Sequence, residues 1–579
     1  MRTASRWWLS PLGAWLTMLL WTGVVLWGCW ERLDLQPADT SAYFASGYSW
    51  KQNGHFSAPG ELVFSPLYTM FFGTVQGSFS DAYTATIVHR LLIVAAAAVA
   101  VLGLARSVLP RAWAWLLAAW WVALPQNSYA YFEVHVFGFA LITFGCWLAG
   151  AGDGRFWRGA GLAVISVAAL TVRNEFTPAA LLFAMACAVF EIRRARLGKQ
   201  TMQETKKAFR QLLVPSVIVA CLATPLWFAE RNTAHWDDLR AAFAKRSRAN
   251  LRQVYPFGYR QRHSDWQGDP WWGGGDLMKR DFGRDDPTFG EAARFNPRAV
   301  MEHILWNARL IPAGLQLALF GTYAGAIAPD FGTTPENSRW TWWSSIAVTI
   351  SVVAGLFSIR HRWLRQRHRT FPGAWTWVAL FCCLPTSLIA IATQRPRPSY
   401  IYTLTLLLMV LAMAGARAIA GKVRVPAWLH TALPQAASFA LLVIVLSIAA
   451  RARPQPRPML EDYRRLAPFE RLFSDPANVF ASNTARSSCL VHYLARDNGK
   501  AARAQPFPLD TDGALSFQEV LEKSTANVLY LTGDFLSRPD FHRWQTEEVG
   551  RSWQVVASAQ TPAATWLLAR RIQGEIRMP

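Results

Sequence analysis

Four short stretches of the chain carry ionisable groups whose types and spacing could do chemistry. Asp39 stands in "QPADTSAYFASGYSWKQNG" (36–54), Glu133 and His135 in "YAYFEVHVFGF" (129–139), Arg173 and Glu175 in "LTVRNEFTP" (170–178), and Arg395, Arg397 and Tyr400 in "TQRPRPSYIY" (393–402). A carboxylate can accept a proton or hold a cation, and a guanidinium makes charge-assisted hydrogen bonds to anions. Each group also has a plain structural role open to it. Asp39 suits an N-cap, Glu133 a helix cap, and His135 a structural hydrogen bond. Arg173 and Glu175 suit an ion pair, and Arg395 and Arg397 suit lipid headgroups. Acids in three stretches and arginines in two suggest one polar cavity, because ionisable groups at membrane depth are costly and face a cavity or a partner.

The surrounding sequence makes membrane depth the relevant environment. Of 579 residues 52% are hydrophobic, with 29 Trp and 34 Phe, a composition too apolar and aromatic for an ordinary soluble enzyme. Apolar runs predict spans near 8–28, 83–105, 112–124, 132–149, 157–171, 177–192, 211–229, 341–358, 373–392, 401–420 and 431–450. The first run resembles a signal peptide, but its length and Trp27 favour an uncleaved anchor. The net charge of +22 is concentrated between alternate spans, as in "RRARLGKQTMQETKKAFR" (193–210) and "RHRWLRQRHR" (360–369). With eleven spans these clusters share the cytoplasmic side, as the positive-inside rule requires, and all four polar stretches face outward. Six of the seven cysteines lie in or beside spans, which predicts neither a disulfide framework nor a zinc site.

These elements predict an α-helical polytopic membrane protein of about 11 spans with a small soluble α/β domain. Residues 1–450 form the membrane domain, interrupted by an outward insertion at 230–340. The insertion is rich in Trp, Gly, Asp and Arg, a composition suited to a partly ordered surface near the bilayer, and its apolar 301–328 segment reads as interfacial or re-entrant. "RARPQPRP" (451–458) is a stiff linker to an outward domain at 459–579. There "ANVLYLTG" (526–533) and "WQVVASA" (553–559) read as strands, and "LSFQEVLEKS" (515–524) as a helix. Before residue 54, Tyr43, Phe44, Gly47, Tyr48 and Trp50 keep an approximate helical spacing that begins at Asp39 and ends at Asn53-Gly54.

The stretch 38–73 resembles the first outward loop of the GT-C superfamily of polytopic glycosyltransferases, which includes protein mannosyltransferases and lipid A aminoarabinose transferases. The family pattern sets an acid just after the first span, an aromatic helix ending at Asn-Gly, and a Pro-x-Tyr segment. Asp39, Asn53-Gly54 and Pro66-Leu67-Tyr68 match it. Glu133 matches a second acid at the start of a later span, and Arg173 with Glu175 a short Arg-containing loop. One departure is Thr40, where the protein mannosyltransferases carry an adjacent acid.

The resemblance implies transfer of a sugar from a polyprenyl phosphate to an outward-facing lipid, glycan or protein, and the high Ala, Arg and Trp content fits a bacterial plasma membrane. Asp39 would be the base and Glu133 would position the acceptor or a divalent ion, though two acids do not specify a metal. Arg173, Arg395 and Arg397 would hold the departing phosphate. Tyr68, Glu175, Tyr400 and His135 would line the substrate cavity. Two other readings use the same residues differently. A transporter or flippase of lipid-linked sugars would set charges in broken helices near mid-membrane. A noncatalytic assembly protein would dock through 230–340 and 451–579.

Overall fold

The computed structural model describes residues 10–35, 39–54, 65–129, 133–152, 154–197, 201–231, 236–270, 273–329, 338–365, 373–421, 457–483, 489–495, 503–506, 517–522, 524–561 and 564–572. The chain divides into two compact units. One comprises Met1–Glu31, Phe64–Tyr68 and Arg90–Pro454; the other comprises Arg32–Val63, Thr69–His89 and Gln455–Pro579.

The first unit is helical. Six described helices are long and apolar enough to cross a membrane: Leu12–Glu31, Ala82–Val108, Asn174–Arg196, Arg339–His361, Ala374–Thr393 and Tyr402–Ala420. Helices Arg111–Val122, Glu133–Gly150 and Arg155–Thr171 also coincide with expected spans, but have only 12, 18 and 17 residues. At 1.5 Å per residue these reach roughly 18–27 Å, short of a hydrocarbon core of about 30 Å. Among the described residues six helices thus meet both the length and the composition of a crossing, and the expected span at 211–229 lies within the 30-residue helix Met202–Arg231. The expected span at 431–450 and linker residues 451–456 lie outside the described residues.

The described residues of the 230–340 insertion form a helical core. Trp236–Arg262, Gly274–Phe282, Phe289–Phe295 and Pro297–Arg309 are helices that bury Leu251, Tyr255, Met278, Phe282 and Val300 together. Their ends are specified locally. Thr288 and Glu291 form a reciprocal capping box, and the Asn296 side chain accepts from the Ala299 amide. The apolar 301–328 segment forms the end of Pro297–Arg309 and then Ile311–Phe320, helices of 13 and 10 residues, each too short to span.

The second unit holds a five-stranded sheet. Its strands are β1 (Val479–Ser482), β2 (Arg503–Pro506), β3 (Val528–Thr532), β4 (Trp553–Thr561) and β5 (Ala564–Arg571), in spatial order β2-β1-β3-β5-β4. Strands β2, β1 and β3 are parallel, while β3 with β5 and β5 with β4 are antiparallel. Phe517, Leu529, Leu531, Phe541, Trp544 and Leu567 are buried in its core. The strands expected at 526–533 and 553–559 are β3 and β4, and the expected helix is Phe517–Glu522.

The same unit contains the aromatic stretch after the first apolar helix. Asp39–Asn53 is a helix, ended by Gly54 at φ 74°, a conformation that favours glycine. Gly47 and Gly73 let this helix and Pro66–Gln76 touch backbone to backbone, so a Cβ at either position would collide with main-chain atoms. Lys51 Nζ donates to the Gly77 carbonyl at the C-terminal end of Pro66–Gln76, where helix-dipole charge is negative.

Candidate functional site

In the first unit, helix Glu133–Gly150 organises the polar stretches. His135, buried, meets the Tyr400 ring edge to face at 5.1 Å. Phe137 packs on Tyr68 with centroids 5.6 Å apart. Phe139 stacks on Trp121 at 5.3 Å and touches Tyr402 at 5.6 Å. On another side, absence of a side chain at Gly138 admits the 172–176 turn: a Cβ there would lie 2.7 Å from a Phe176 ring carbon and 3.4 Å from Val172. Ser65 Oγ then donates to the Val172 carbonyl at 2.5 Å.

That turn presents Arg173. Its backbone is extended at φ −147°, and its amide donates to Ala168 O at 2.9 Å. Its guanidinium pairs with Glu175 at 2.7 Å, both side chains largely buried. One helix thus contacts Tyr68 through Phe137, Tyr400 through His135, and the turn bearing Arg173 and Glu175 through Gly138. Ionisable and aromatic groups bordering an apolar helix suit an anionic headgroup attached to an apolar tail.

Arg395 has a different environment from the one expected of a phosphate ligand. Only 1% exposed, it donates from Nη2 to Gln261 Oε1 at 2.9 Å and Ala328 O at 2.8 Å, and from Nε to Pro329 O at 3.3 Å. Trp306 Nε1 donates to the same Gln261 oxygen at 3.0 Å. Arg395 therefore ties the 393–400 loop to the insertion. Nearby, His303 shares a 3.1 Å hydrogen bond with Asn307. Burial first, then the charges of Arg262 and Arg395, push its pKa down to about 4, against the opposing effect of the Thr393 backbone. Arg397, half-buried, precedes the 3₁₀ turn Pro398–Tyr400.

Asp39 is the first residue of its helix and belongs to the second unit. Glu133 is the first residue of its own helix, and the side chains of both acids lie outside the described residues. Among the described residues no three His, Cys, Asp or Glu side chains converge as a metal site.

Sequence reasoning passed over two polar residues here. Arg90, 1% exposed, donates from Nη1 to Gln126 O at 3.4 Å and Asn127 O at 3.3 Å. A charge inside "ATIVHRLLIVAAAA" (85–98) was the available signal. Gln261 gave none, because its importance comes entirely from its partners.

No protein-family model and no curated protein matches the chain. Solved structures with a similar outline include the oligosaccharyltransferase AglB of Archaeoglobus fulgidus in complex with an inhibitory peptide and a dolichol-phosphate. It is 12% identical, with 99% of this chain and 75% of that one covered and a TM-score of 0.46. An Archaeoglobus fulgidus oligosaccharyltransferase in complex with Zn and sulfate is 11% identical, with 95% and 72% covered and a TM-score of 0.48. ArnT of Cupriavidus metallidurans bound to undecaprenyl phosphate is 13% identical, with 96% and 97% covered and a TM-score of 0.39. These neighbours are members of the GT-C superfamily, the group that the 38–73 stretch resembles. At TM-scores below 0.5 they define neither the substrate of this chain nor its site residues.

Proposed function

We propose that this protein is a membrane glycosyltransferase that moves a sugar from a polyprenyl phosphate to an acceptor hydroxyl on the non-cytoplasmic face of a plasma membrane. The observations that support the reading are buried His135 against Tyr400 on helix Glu133–Gly150, and the Arg173–Glu175 pair in the turn that Gly138 of the same helix admits. Ionisable groups are costly in a low-dielectric setting and tend to mark a ligand site or a partner. The first-loop motif, with Asp39 at a helix start and Asn53-Gly54 at its end, points the same way.

In the proposed reaction Asp39 accepts the proton of the acceptor hydroxyl as its oxygen bonds to the anomeric carbon. The bond from that carbon to the phosphate oxygen breaks, and the electron pair leaves with the polyprenyl phosphate. Arg173 and Arg397 stabilise the charge that develops there. Glu175 holds Arg173 oriented before the donor arrives, and Glu133 positions the acceptor. Tyr68, His135 and Tyr400 line the headgroup cavity, while Arg395 acts indirectly by fixing the loop that carries Arg397 and Tyr400.

The test is mass spectrometry of surface glycans, lipids and polyprenyl-phosphate sugars in cells lacking the protein. The expected result is loss of one sugar from an acceptor together with accumulation of its lipid-linked donor. Donor accumulation on the cytoplasmic leaflet alone, with transfer intact once donor is supplied outside, would identify a flippase instead.

A further inference from the structure

We propose that the C-terminal domain is a positioning domain for the Asp39 helix, acting through Asp34 and Tyr493. This rests on the transferase reading for its catalytic consequence, but its structural half stands apart from that reading.

Asp34 follows the first apolar helix by only a few residues, yet its carboxylate reaches a distant part of the sequence. Oδ1 accepts from the Leu460 amide at 2.7 Å and Oδ2 from the Met459 amide at 3.2 Å, while Oδ1 also accepts from Leu35 N at 2.8 Å. Those amides lie in the first turn of helix Pro458–Leu466, whose donors lack intrahelical partners. A carboxylate there satisfies two donors and meets the positive end of the helix dipole. The capped helix is joined to the sheet: Tyr530 OH, in β3, donates to Asp462 at 2.6 Å, and Arg465 reaches the same carboxylate at 3.2 Å.

A second attachment lies on the Asp39–Asn53 helix itself. Phe44, 2% exposed, packs against Tyr493 of helix Leu490–Leu494 with centroids 4.9 Å apart, and on its other sides meets Tyr48 and Phe72. A third lies at the far end of the loop, where Tyr463 OH accepts from the Ala82 amide at 3.4 Å and Arg464 lies over the Tyr83 ring. The C-terminal domain therefore grips the first loop before, within and after the helix that starts at Asp39. A general base must be held within hydrogen-bond reach of the proton it accepts. Attachment five residues before Asp39 and five after it restricts the helix in both translation and rotation.

The experiment uses the full-length protein in lipid nanodiscs, comparing wild type, Asp34→Ala, Tyr493→Ala and Tyr493→Phe. Backbone hydrogen exchange is read over 39–53, over the β3 and β5 strands, and over Tyr402–Ala420. We expect exchange over 39–53 to accelerate at least tenfold in both alanine variants, with Tyr402–Ala420 unchanged and Tyr493→Phe close to wild type. Where transfer is measured, kcat should fall with KM for the donor little changed. Unchanged protection over 39–53 in both alanine variants would overturn the proposal, whatever the activity. Acceleration that includes β3 and β5 equally would also overturn it, since the domain would then simply have unfolded. Absence of transfer in wild type would count against the transferase reading and leave the exchange result to decide this one.

Discussion

Arg395 shows how burial redirects a charged side chain. In the sequence it is one of two arginines in a short polar loop, indistinguishable from Arg397 as a phosphate ligand. In the structure its guanidinium supplies Gln261 and two backbone carbonyls, so Arg395→Ala should leave those acceptors unsatisfied and cost about 2–4 kcal/mol. Thermal unfolding in detergent checks this: normal stability with lost transfer would instead restore Arg395 to the phosphate site. His303, beside the same network, makes a pH prediction. Its folded pKa of about 4 lies below the usual value of about 6.5, so the unfolded chain binds the extra proton between them. Its contribution to stability is therefore complete above about pH 6.5 and is lost as pH falls toward 4, by up to about 1.4 kcal/mol per pH unit. His303→Asn should flatten that part of a stability-against-pH curve, and an unchanged slope would assign it to other groups. The candidate residues were readable because charge is conspicuous in apolar sequence. Their partners were not, since Glu175 beside Arg173 was visible in spacing whereas Gln261 beside Arg395 is 134 residues distant.

Helix boundaries were readable wherever the chain supplies its own punctuation. Asp39 opens a helix and Gly54, at positive φ, closes it, both matching local rules. Crossing points were hidden, because glycine in a helix has no signature that distinguishes a close approach from an accident of composition. Gly47 and Gly73 meet with no room for a Cβ, so Gly73→Val must separate the two helices. Overpacking of this kind costs about 1–3 kcal/mol. The prediction is faster hydrogen exchange over 39–53 and a lower unfolding temperature, with Gly290→Ala, which faces open space, as the control. Unchanged exchange in Gly73→Val would show that the two helices do not depend on that approach. The insertion marks the opposite limit of sequence reading. Its Trp, Gly, Asp and Arg content suggests a partly ordered surface, but apolar residues spaced across one long and three shorter helices close a core that composition does not express.

For the molecule as a whole, hydropathy identified a polytopic helical protein and a separate sheet domain. Of its eleven expected spans, six coincide with described helices long and apolar enough to cross. It also left the first loop with the membrane domain, whereas the structure groups 32–63 and 69–89 with the C-terminal residues. Asp34 explains why that grouping was invisible: its partners are more than 420 residues away and are backbone amides, which any sequence would offer. The most direct test of the central claim is transfer by the Asp39→Asn variant. Cells lacking the protein are supplied with wild type or an equally expressed Asp39→Asn, and lipid-linked donor and glycosylated acceptor are quantified by mass spectrometry. The account predicts that wild type restores the acceptor sugar, while Asp39→Asn leaves it at least a hundredfold lower with donor accumulated, consistent with loss of a general base. Full restoration by Asp39→Asn would contradict it, leaving Asp39 only the start of a helix.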